Sequence, residues 1–104
     1  MSDLARQLTR IEVGLAKNPK CAHMLITKAR LLMLGDSATL AQVEDCILKA
    51  LDLSPNNLEA LEEAAHYYDV VAPDRRKAVR YAKRYIQLVG KTISEMRAII
   101  EESN

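Results

Sequence analysis

The side chains able to bind a metal, transfer a proton or attack a carbonyl are scattered along 104 residues and gather in no catalytic motif. His23 and His66 have no carboxylate or cysteine partner at the spacing of a metal-ligand set, so no metal site is expected. Cys21 and Cys46 form neither a close pair nor a disulfide framework. On adjacent antiparallel helices turning near Asp36 they would be offset by several ångströms along the axes, awkward for a bridge. Free, mostly buried thiols are expected, which suits a reducing, cytoplasmic setting. Gly90-Lys91-Thr92 has the ending of a phosphate-binding loop. The glycine required five residues earlier is Tyr85, however, and a helical pattern rather than a strand precedes it. Helix termination is the better account of Gly90. No serine, cysteine or histidine cluster pairs a nucleophile with a base. The expectation is a protein that is not an enzyme and needs no cofactor.

What is patterned is charge. Glu59, Glu62, Glu63 and Asp69 stand between residues 56 and 73 with no lysine or arginine among them. From residue 74 to 91 the balance reverses, with Arg75, Arg76, Lys77, Arg80, Lys83, Arg84 and Lys91 against one acid. The acids could select a basic peptide through charge-assisted contacts, or form a solvated face neutralised by the basic helix beside them. Arg76, Arg80, Lys83 and Arg84 share a helix face, but only Tyr81 adjoins it, and the net charge is +1. Neither nucleic acid nor membrane is therefore an expected partner. Tyr67, Tyr81 and Tyr85 are expected to pack, unless one lies open in a groove as a binding anchor.

The elements that must carry these residues are all helical. Hydrophobic residues make up 49% of the chain and aromatic residues 4%, all tyrosine, a mix that favours close-packed helices over sheets. Leu4, Leu8, Ile11 and Leu15 give one apolar stripe to a first helix over about 3–17, ended by Asn18-Pro19. A second helix, 21–34, is apolar on several sides and stops at Gly35, a residue suited to a left-handed cap. Thr39 and Gln42 fit a capping box for a third helix, 40–53. The fourth, 57–71, follows Asn56 and Glu59 at the same spacing. The fifth starts behind Asp74 and closes at Gly90, and Thr92 with Glu95 opens a sixth with Ile93, Met96, Ile99 and Ile100 on one side. No run approaches the roughly 20 apolar residues of a membrane span, and the start has no leader-like segment.

Pro19, Pro55 and Gly90 punctuate the chain at intervals of 36 and 35 residues. Leu25 and Leu61, Ala29 and Ala65, Leu32 and Tyr68 recur at matching positions behind the prolines, the signature of stacked helix-turn-helix units. The best-matching stretch is Ile47-Leu48-Lys49-Ala50-Leu51-Asp52-Leu53-Ser54-Pro55-Asn56-Asn57, with Gly14 and Ala50 as small second-helix residues. In these residues the chain resembles the tetratricopeptide repeat family over nearly its whole length. It departs from it in Leu25 and Leu61, where tryptophan is usual, in the inverted order of Ala82 and Tyr85, and in Gly90 for proline.

The resemblance implies an all-α, right-handed superhelical stack of antiparallel hairpins with about six helices. Residues 1–18 would be a half-repeat, 19–54 and 55–90 two repeats, and 91–104 a capping helix. It further implies a concave groove lined by His23, Ile26, Thr27, Arg30 and Met33 of one hairpin and Glu59, Glu62, Glu63, His66 and Asp69 of the next. One arginine among acids is not a carboxylate clamp. The function expected is a non-catalytic interaction module, adaptor, scaffold or chaperone-like, binding a protein or peptide segment, basic if the acids select it. The alternative is a structural protein that self-associates, as a homodimer for example, through its terminal helices.

Overall fold

The computed structural model describes residues 2–36 and 38–102, and among these it contains helices and no strands. The elements in order are α1 (Asp3–Lys17), α2 (Ala22–Leu34), α3 (Leu40–Leu53), α4 (Leu58–His66), a π turn (Tyr67–Val71) and α5 (Arg75–Glu102). Short polar caps set most of the starts. The Ser2 hydroxyl accepts from the Ala5 amide at 3.1 Å, and Asp74 Oδ1 accepts from Lys77 at 3.2 Å. The expected capping box is formed at α3, with Thr39 Oγ1 accepting from the Gln42 amide and Gln42 Oε1 from the Thr39 amide. At α4 the cap is Asn57, whose side chain accepts from Ala60, and not Asn56, which instead accepts from Arg84 at 3.1 Å. Gly35 ends α2 in extended backbone (φ −95°), not as the left-handed cap expected. Its lack of a side chain serves packing instead, because a Cβ there would come within 3.1 Å of Leu4 Cδ2.

Each helix packs on its neighbour in sequence, and α2 additionally touches α4. Ile26, Ile47 and Leu61 are the largest fully buried side chains. Ala29, Ala50, Ala60 and Ala64 are buried around them and let the helix axes approach. Gly14 serves the α1–α2 contact in the same way, since a Cβ there would meet Met24 Sδ at 3.0 Å. Helix α1 buries no residue fully, as fits an element with one apolar stripe and a neighbour on one side only. Both cysteines are free, Cys46 inside the core and Cys21 half-buried. Burial pushes the Cys46 thiol up, away from the reactive thiolate.

The π turn replaces the last turns of the fourth predicted helix. A π turn accommodates an extra residue and re-aims the chain beyond it. Here it sends consecutive tyrosines, Tyr67 and Tyr68, both 2% exposed, into the core edge-to-face at 5.0 Å. Tyr67 Oη donates to the Leu40 carbonyl at 3.0 Å, and Tyr68 Oη to Glu44 Oε2 at 2.8 Å, so both reach back to α3. Tyr81 of α5 stacks on Tyr68 at 6.0 Å.

The fifth and sixth predicted helices are one. Helix α5 runs 28 residues through Gly90. A glycine costs a helix interior only about 1 kcal/mol, too little to stop one with good formers on both sides. The hydroxyls of Thr92 and Ser94 donate one turn back to the Leu88 and Gly90 carbonyls, so no capping box forms there. Among the described residues five α-helices stand where about six were expected, and residues 91–102 are an exposed continuation of α5 rather than a separate capping helix. Residues 103 and 104 of that expected helix lie outside the described residues.

A candidate protein-interaction surface

The ten residues expected to line one groove fall into three places. Ile26 is fully buried in the core and presents nothing to a partner. Met33 packs against the core from the C-terminal end of α2, beside Gly35 and Val71. The helical register brings His23, Thr27 and Arg30 of α2 to one face, opposite Glu59 and Glu63 of α4, and these groups bond one another. His23 Nδ1 lies 2.9 Å from Glu59 Oε1, and Arg30 Nε donates to Glu63 Oε2 at 2.9 Å, with Glu59 Oε2 3.9 Å from its Nη1. Thr27 Oγ1 donates to the His23 carbonyl. Two of the four acids thus already have partners across the α2–α4 contact.

Glu62 and His66 on the other side of α4, and Asp69 in the π turn that follows, border α5. Their pairings are looser, 3.9 Å between Glu62 and His66 and 3.7 Å between Asp69 and Arg75. Between them and α5 run two adjoining open clefts of about 270 and 300 Å³. Ala65 and His66 form the α4 wall of both, while Ala78, Val79 and Ala82 line one and Ala82, Tyr85 and Ile86 the other. Of the three tyrosines singled out, Tyr85 borders this groove, while Tyr67 is buried. The basic residues Arg80, Lys83 and Arg84 line a different cleft, of about 500 Å³, with Leu51, Pro55, Leu61 and Tyr81.

The apolar side of the α4–α5 groove does not stop where α4 does. Along α5 it continues as Ile86 (68% exposed), Ile93 (46%) and Met96 (50%), with Ile99 on its flank. Every residue from 91 to 102 is exposed, so this half of α5 projects past the rest of the stack. The sequence held a signal for it. Val79, Ile86, Ile93 and Ile100 are spaced by seven, with Ala82, Val89 and Met96 three residues behind the first three, a heptad pattern that a helix break at Gly90 conceals.

Among the described residues no group of three or more histidine, cysteine, aspartate or glutamate side chains is placed to hold a metal ion. No helix of the described residues is long and apolar enough to cross a membrane. No family model, no curated protein and no solved structure matches this chain.

Proposed function

We propose that this protein is a non-catalytic, tetratricopeptide-like interaction module that holds a partner polypeptide against the outer side of its α4–α5 hairpin. The observation that carries this is the continuous apolar stripe of α5, walled by α4 at one end and bare at the other. Helix α4 itself packs on both helices of the preceding α2–α3 hairpin. The α4–α5 hairpin offers a seat of the same kind to one more helix, and Ala65, Ala78 and Ala82 leave room in it. Exposed apolar area that is contiguous and rimmed by polar groups, here Glu62, His66 and Asp69, is typical of contact surfaces. The α2–α4 face supports partner binding less, because its charges are already bonded to one another.

A photo-crosslinking residue tests the assignment. Placed at Ile86, it is expected to capture a polypeptide in cells, whereas the same residue at Lys49, on the exposed side of α3, captures none. Equal or absent capture at the two positions defeats the reading.

A further inference from the structure

We propose, building on the α4–α5 surface just assigned, that its occupant is a second copy of this chain. Two α5 helices pair antiparallel about a twofold axis near Lys91, and the projecting half of each lies in the α4–α5 groove of the other.

Three observations converge on this occupant. The first is the heptad pattern of Val79, Ala82, Ile86, Val89, Ile93 and Met96, the pattern of a helix that packs lengthwise on another helix. The second is that one stripe carries both the seat and what would fill it. Its walled half offers the small Ala78 and Ala82 beside Ala65 of the α4 wall, and its bare half carries the bulky Ile93, Met96 and Ile99. An antiparallel twofold superimposes the two halves, setting Met96 of one copy against Ile86 of the other and Ile93 against Val89. Both grooves are then filled by one self-complementary contact, which closes and cannot propagate. Parallel pairing would set groove against groove and leave both seats empty.

The third observation is charge. Between residues 75 and 84, α5 carries six bases and no acid, whereas its last turns carry Glu95, Glu101 and Glu102 against Arg97. Antiparallel pairing lays the acidic end of each helix along the basic half of the other, with the helix dipoles opposed. At 3.6 residues per turn, Lys83 and Glu101 fall on the same flank of the stripe, the one away from α4. The pairing therefore brings Glu101 of one copy to Lys83 of the other, while Ile99 falls on the α4 side, towards Tyr85. Parallel pairing would instead oppose the six bases to their own copies.

Light scattering over a dilution series from about 100 to 1 µM is the primary test, since a specific interface of this kind holds in that range. The expected result is twice the 11.7 kDa chain mass at the upper end, and a monomer throughout overturns the proposal. Ile93→Asp with Met96→Asp changes exposed side chains and is expected to keep the circular dichroism spectrum while weakening the dimer by at least ~100-fold. A variant dimer as tight as the parent overturns the assignment. Orientation is read with Ile86→Cys/Met96→Cys, oxidised and mapped by peptide mass. A link from 86 to 96 between copies supports the antiparallel arrangement, and links from 86 to 86 overturn it. The two readings fail separately. A monomer whose residue 86 still crosslinks to another polypeptide in cells loses the second copy but keeps the interaction surface; a monomer with no such crosslink loses both.

Discussion

Tyr68 ties the π turn to both α3 and α5. It is buried against Tyr67, stacks with Tyr81, lies under Lys77 Nζ at 5.0 Å and donates to Glu44. Burial first, and then the bond to Glu44, push its hydroxyl far above the usual tyrosine range. Burial moves Tyr67 the same way, and the 2.7 Å bond to Glu12 raises Lys28. Each of these groups holds its proton more tightly folded than unfolded. The stabilisation is therefore complete below about pH 10 and is lost as the pH climbs through the raised values. Tyr68→Phe is expected to cost about 1–2 kcal/mol at pH 7. In urea unfolding it should also lose less stability than the parent between pH 9 and 11, and parallel pH curves would defeat this account. The paired charges of the α2–α4 face matter less, because half-exposed ion pairs contribute between nothing and about 1 kcal/mol each.

At the scale of elements, α5 decides most of what is distinctive. Gly90 sits in its interior, and a Cβ there meets nothing within 4 Å. Gly90→Ala should stabilise the surrounding turns by about 0.5–1 kcal/mol, visible as slower amide exchange near residues 87–95. Faster exchange would return Gly90 to the role of helix terminator. The other boundaries show why local signals succeeded where they did. Thr39 with Gln42, and Asp74, are caps whose partners lie within a turn, so their roles can be read from spacing alone. The π turn is not of that kind. It is held by Tyr67 and Tyr68 reaching 27 and 24 residues back, to Leu40 and Glu44, and no local periodicity encodes that reach. Gly90 misled for the opposite reason. Glycine marks many helix ends, but a sustained heptad on both sides outweighs it.

For the molecule as a whole, the helical class was legible from composition and periodicity; of the positions matched as small, Ala29, Ala50 and Gly14 lie where helices meet, whereas Ala65 borders an open cleft. The candidate site was legible only in part. Its members on α4 and the π turn sort by side, Glu59 and Glu63 towards α2 and Glu62, His66 and Asp69 towards α5, and sequence order does not show which side meets which neighbour. Because residues 91–102 are all exposed, the core does not depend on them. A chain ending at Lys91 is expected to melt cooperatively, losing only the helical circular dichroism of the residues removed. A broad, non-cooperative melt would show that the projecting half belongs to the core.

Packing between sequence neighbours also sets a timetable. Among the described residues most helix contacts are between sequence neighbours, and helical topologies dominated by such local contacts fold within about microseconds to milliseconds. Synthesis, at roughly 5–20 residues per second, is far slower. The α2–α3 hairpin can therefore be formed while α5 is still inside the ribosome. The stripe along α5 emerges after every helix it packs on, and its seat on α4 is assembled only once α5 has cleared the exit. Nascent chains therefore cannot pair through that stripe before the helices ahead of it are in place.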